Sequence, residues 1–220
     1  MTISILAFDQ ETEQYGGAAA TGSLCVGGWV LRGDPSAGMS ASQGSLPSTL
    51  WGERALNLML QDHSAADAVV ATVADDDGRD MRQLAVLDRL GRTACHTGAQ
   101  SVAYAGSRSD HHVIVSGNLL QSEAVVDACM AGFTRAAGSL DQRLIAALYA
   151  AAEAGGDSRG LLSAALLVVS PAAAPLNLRV DYADDPVDAL AALHGRATTG
   201  DYAKWAAKVP TARSPHLSEL

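Results

Sequence analysis

Met1-Thr2-Ile3-Ser4-Ile5-Leu6-Ala7-Phe8 reads as an apolar strand that begins at once, with no polar arm ahead of it. Thr2 is small enough for the initiator methionine to be removed. The processed chain would then start with a threonine bearing both a hydroxyl and a free α-amine. Those two groups on one residue form a nucleophile–base pair, the N-terminal-threonine variant of nucleophilic catalysis. The alternative reading is an ordinary strand terminus. The dipeptide alone does not separate the two, so the decision falls to the rest of the chain.

Outward from that strand, residues 16–21 form a second one across the hairpin-sized spacer Asp9-Gln10-Glu11-Thr12-Glu13. Residues 25–31 and 37–42 read as two more, around the turn Gly33-Asp34-Pro35. Pro47 opens a helix in which Leu50, Ala55, Leu58 and Met59 recur at helical spacing. Ser64 caps another, with Asp67 three positions on, running to about residue 74. Short strands are predicted at 81–88, 93–97, 101–105 and 112–116, then helices at 122–136 and 140–152. Residues 163–170 are apolar on both faces, as in the interior of a sheet, with 176–180 returning beside them. A last helix starts at Asp185-Pro186 and runs to about residue 194, and residues 196–220 are expected to form a C-terminal tail or partner arm.

Pairs of helices between runs of strands exclude a parallel βαβ sheet, which needs one helix per crossover. The order fits an α+β fold: a four-layer α-β-β-α sandwich of two antiparallel sheets, in a single domain over residues 1–220.

Composition narrows the function classes. The 220 residues are 48% hydrophobic, enough for a substantial core, and only 5% aromatic, so small residues dominate the packing. A net charge of −9 and only two lysines, Lys204 and Lys208, argue against a nucleic-acid partner. Cys25, Cys95 and Cys129 are odd in number and far apart, which suggests free buried thiols rather than a zinc clip or redox pair. No apolar run approaches the length of a membrane span and no secretory leader is recognised, so a cytoplasmic location without a membrane partner is expected. His111 and His112 point to opposite faces of a strand, and no acid–histidine cluster has ligand spacing, so neither metal nor cofactor is expected. A homodimer is the expected assembly, two-fold pairs being the commonest closed form.

The chain resembles the DUF1028 family, placed among the N-terminal-nucleophile (Ntn) hydrolase-like proteins. The resemblance spans residues 2–195 and rests on Thr2-Ile3-Ser4-Ile5, Phe8-Asp9, Gly17-Ala18-Ala19-Ala20, Ser42-Gln43 and Arg82-Gln83-Leu84-Ala85-Val86. It continues through His96-Thr97-Gly98, Gly117-Asn118-Leu119-Leu120, Ala154-Gly155-Gly156-Asp157, Arg159-Gly160 and Ser163-Ala164-Ala165-Leu166. Three positions depart from the family's pattern: Leu46 before Pro47, Ser116 before Gly117-Asn118, and Leu161-Leu162 before Ser163. Where a relative has polar groups there, this chain is expected to have a drier pocket.

The resemblance implies hydrolysis of a small amide or peptide-like bond through an acyl-enzyme on Thr2, the α-amine acting as base. A catalytically silent small-molecule-binding or accessory protein of the same fold is the alternative. Asn118, after a glycine at a strand end, is a candidate oxyanion donor or a turn residue. Gln43 is a second candidate amide, or a strand-end hydrogen bonder. Arg82 would supply positive field in place of a lysine. His96 would line the substrate or pack. Asp157, with Arg159, would orient substrate or fix the loop before a strand.

Overall fold

The structure is a computed structural model that describes residues 2–157 and 159–217. Within them the opening hairpin is as expected: β1 (Thr2–Asp9) pairs with β2 (Gln14–Thr21) in unbroken register, from Thr2 opposite Thr21 to Asp9 opposite Gln14. Asp9 shapes the turn by accepting the Glu11 and Thr12 N–H groups on Oδ1. There follow α1 (Val26–Trp29), β3 (Leu31–Asp34), β4 (Gly38–Gly44), α2 (Thr49–Leu60), α3 (Ala65–Val73), β5 (Arg82–Asp88), β6 (Thr93–Thr97), β7 (Gly106–Asp110) and β8 (Val113–Asn118). The chain continues through α4 (Ala124–Arg135), α5 (Leu140–Glu153), β9 (Ser163–Ser170), β10 (Ala173–Val180), α6 (Pro186–Ala197) and α7 (Gly200–Ala206).

The result is a mixed α+β fold with two antiparallel sheets. One has six strands in the order β10-β9-β2-β1-β8-β7, the other four in the order β3-β4-β5-β6. Strand periodicity assigns the faces. Ile3, Ile5 and Ala7 of β1, with Ala164, Leu166 and Val168 of β9, join the core formed with α4, α5 and α6. Leu6 of β1, Met39 and Ala41 of β4, and Ala85 and Leu87 of β5 form a second cluster shared by both sheets. Leu84 and Val86, on the opposite parity of β5, pack against α2 and α3.

Four expectations need correction. Residues 25–31 are a helical turn, α1, leading into β3, not one strand. A Cβ at Gly27 would meet Ala165 Cβ and Arg179 Cγ at 2.7 Å, so this segment presses its bare glycine backbone onto β9 and β10. The Val26 N–H is taken by Ser163 Oγ at 3.1 Å. Tertiary packing thus overrides a β-rich composition. Residues 101–105 are irregular, and the edge strand is instead β7, whose Gly-Ser-Arg-Ser-Asp sequence lacks the apolar alternation that marks buried strands. The segment after residue 195 is not wholly a tail: it carries the end of α6 and α7, and Arg213 returns to pair with Glu13 and the Pro171 carbonyl. Residues 218–220 lie outside the described residues. All three cysteines are free, but only Cys129 is fully buried, and burial pushes its thiol up to about 12. Among the described residues no helix is long and apolar enough to cross a membrane.

Candidate active site

Thr2 lies at the first position of β1, an interior strand, with Thr21 of β2 opposite it on one side and Asn118 of β8 on the other. The same strand parity puts Ser4, Ser116, Asn118 and Thr21 on the face toward the four-stranded sheet. Gln43 on β4 and Gln83 on β5 reach back from that sheet. Polar side chains therefore fill one end of the space between the sheets, where Leu6 and Met39 fill the other.

The Thr2 hydroxyl donates to Thr21 Oγ1 at 3.2 Å, and Gln43 Nε2 reaches the Thr2 carbonyl at 3.5 Å. Gln43 Nε2 also donates to Gln83 Oε1 (2.7 Å) and the Ser116 carbonyl (3.2 Å). Gln83 Nε2 donates to the carbonyls of Gly117 (3.0 Å) and Gly106 (3.2 Å) and to Thr97 Oγ1 (2.9 Å). Two carbonyl acceptors fix the sense of the Gln83 amide, so its Oε1 must face the other amides. Asn118 Nδ2 accordingly points one hydrogen at Gln83 Oε1, at 3.4 Å, and its second meets no acceptor among the described residues. Gln43 Oε1 and Asn118 Oδ1 are left buried without a donor among the described residues. Unpaired buried carbonyls are uncommon, because each forfeits hydration without replacement.

Thr2 opens onto a cleft of about 710 Å³, which Gln43, Arg82 and Arg159 also line. Leu24, Trp29 and Leu46 add apolar surface to it and are each more than half exposed. Leu46 and the Ser4–Ser116 hydroxyl pair (3.0 Å) thus show where two departures from the family pattern fall.

The other sequence candidates divide. Arg82 lines the cleft but is anchored: it pairs with Asp76, donates Nε to the Leu46 carbonyl at 2.9 Å and lies 5.7 Å from the Trp51 ring centroid. Burial acts to raise the Asp76 carboxyl, but hydrogen bonds from Gly78, Trp51 and Arg82 hold it below its ordinary value. Asp157 is buried and grips Arg159, accepting its backbone N–H (2.8 Å), Nε (3.1 Å) and Nη2 (3.0 Å), while Gly22 N–H also donates to it. A Cβ at Gly22 would meet Asp157 Oδ2 at 2.4 Å, so only glycine permits this approach. Asp157 thus reaches the cleft through Arg159. His96 is not brought to Thr2. On β6 it takes the parity opposite to Cys95, packs edge-on to Trp51 at 5.8 Å and contacts the Arg79 carbonyl through Nε2 at 3.1 Å. Met1 and Ser158 lie outside the described residues.

Sequence reasoning missed Gln83, which joins both candidate amides. Its signal was present: a glutamine on the same parity of an apolar strand as Ala85 and Leu87 must be buried, and must find partners.

The profile of a family described as "Family of unknown function (DUF1028)" matches residues 2–190. No curated protein matches. Among solved structures, the chain is similar to the crystal structure of protein SPO2555 from Silicibacter pomeroyi, itself assigned to the DUF1028 family. The two are 49% identical over 98% of each chain, with a TM-score of 0.94. On the length of the family match and the closeness of that relative, the chain belongs to the DUF1028 family.

Proposed function

We propose that this protein is an N-terminal-threonine hydrolase of a small amide or peptide-like bond, built on the four-layer α-β-β-α sandwich of the Ntn hydrolase-like proteins. The three apolar clusters, helix to sheet, sheet to sheet and sheet to helix, support the layering. The observation that carries the chemistry is Thr2 itself, which opens onto the cleft with Asn118 in register beside it.

Once Met1 is removed, Thr2 Oγ1 attacks the substrate carbonyl carbon and its proton passes to the α-amine. An α-amine titrating near 7.7–8.0 is partly neutral at pH 7 and can accept it. Negative charge develops on the former carbonyl oxygen, and Asn118, opposite Thr2 on the neighbouring strand, is the side chain we assign as its donor. Collapse breaks the C–N bond, the ammonium returns its proton to the leaving amine, and an acyl ester remains on Thr2. Water, deprotonated by the same amine, then releases the acid. No lysine is assigned a role: Lys204 pairs with Asp201 on α7, and among the described residues the cations lining the cleft are Arg82 and Arg159.

The test is mass spectrometry of protein purified from its native host, before and after a β-lactone probe. The expected result is a chain starting at Thr2 that gains one adduct there and none in Thr2→Ala. Full retention of Met1, or no adduct on processed Thr2, overturns the reading and leaves the silent binding protein.

A further inference from the structure

We propose that the ligand of the Thr2 cleft carries a carboxylate, held by Arg159, with Arg82 as a second positive group in the lining. The inference rests on this cleft being the substrate site. The chain has 24 acidic residues against 15 lysines and arginines, yet among the described residues the charged ones lining the cleft are these two arginines and no acid. A lining drawn at random from so acidic a chain would on average be slightly negative.

Arg159 is built into place rather than left to wander. Asp157, whose side chain has no solvent exposure, holds Nε and Nη2 of one guanidinium edge. The Asp157 charge is spread further over the Gly22 and Arg159 backbone N–H groups. The carboxylate therefore faces inward while the guanidinium, about half exposed, faces the cleft. Nη2 also reaches Ser23 Oγ at 3.4 Å, and Nη1 makes no hydrogen bond among the described residues. A fork fixed in this way is suited to a planar carboxylate.

The placement relative to Thr2 is close. The Thr2 and Thr21 hydroxyls touch at 3.2 Å, and Ser23, which contacts Arg159, is two residues further on, at most about 7 Å of chain. A carboxylate a few bonds from a scissile amide spans that interval. Leu24, Trp29 and Leu46 offer the remaining body of the ligand an apolar surface.

The experiment uses full-length Thr2→Ala protein, so that no acyl-enzyme forms, and isothermal titration calorimetry. The probes are N-hexanoylglycine and N-butylsuccinamate, which carry the carboxylate on the amine side and acyl side of the amide, each beside its neutral methyl ester. In at least one pair the acid is expected to bind about tenfold or more tighter than its ester, the range of hydrogen bonds to a charged group. That advantage should shrink between 50 and 500 mM NaCl. It should vanish when Arg159→Gln is added and partly survive in Arg159→Lys. Acids that bind no better than their esters, or not at all, overturn the proposal, as does a preference that persists in folded Arg159→Gln. Should Arg159→Gln not fold, the ester comparison and its salt dependence decide. Charge preference without any β-lactone adduct on wild-type Thr2 would sink the hydrolase and leave the anion site standing.

Discussion

Gln83 is the residue on which the orientation of the site turns. Its amide nitrogen is committed to the Gly106 and Gly117 carbonyls and to Thr97, so its oxygen alone can receive Gln43 and Asn118. Asn118 is thereby held with Nδ2 toward Gln83 and one hydrogen unused among the described residues. Replacing it by alanine removes that donor while leaving Thr2 in place. Asn118→Ala is predicted to slow β-lactone acylation of Thr2 by about 100- to 1000-fold, the usual cost of losing one oxyanion donor. The measurement is the rate of adduct formation by mass spectrometry. A rate within a factor of a few of wild type would show that the side chain serves the turn and not the oxyanion.

At the scale of elements, the helices are tied down by charge as well as by packing. Asp141, in the first turn of α5, accepts from His194 Nε2 in the last turn of α6 at 2.5 Å. Both groups sit where the helix dipoles favour them, the acid at an N-terminus and the histidine at a C-terminus. Burial acts to raise the Asp141 carboxyl, but hydrogen bonds from His194 and Ser139 outweigh it and hold the group below its ordinary value. A carboxyl depressed in the folded state adds stability above the unfolded value near 3.9, and loses it as the pH falls through the lower folded value. Asp141→Asn is therefore predicted to be less stable than wild type above about pH 5, with the gap closing below about pH 4. Urea denaturation of both proteins between pH 7 and 2.5 measures it. A gap that widens toward acid would contradict the assignment.

Across the whole molecule, the two sheets meet through apolar side chains at one end and through amides at the other. Gln43 and Gln83 belong to the four-stranded sheet and reach across to the six-stranded one, to the Thr2, Ser116, Gly117 and Gly106 carbonyls and to Asn118, at the polar end of the space between the sheets. They stitch the sheets together at that end. Gln43→Leu and Gln83→Leu are each predicted to cost about 1–3 kcal/mol, because each strands buried partners. Since the two side chains share a 2.7 Å hydrogen bond, the double variant should cost less than the sum of the singles, by about 0.5 kcal/mol or more. Chemical denaturation of the four proteins closes the cycle, and strict additivity would mean the amides act independently.

The hairpin at residues 2–21, the α2–α3 and α4–α5 pairs, and the buried β9 strand were legible in the sequence, because periodicity and capping are local. Thr2, Gln43 and Asn118 were likewise found as strand-end polar residues, and the structure brings all three to one end of the space between the sheets. What sequence could not supply was which face each residue takes relative to a distant strand. That choice removed His96 to the Trp51 side, drew Gln83 in, and made Asp157 the anchor of Arg159. It also folded residues 26–29 into α1, where the bare backbone of Gly27 lies against β9 and β10 with no room for a side chain. Thr2 as the first residue of a strand is written in the chain. Its company in the cleft is decided by strands that lie far apart in sequence, because hydrogen-bond partners and charge neighbours exist only once two sheets have closed on each other.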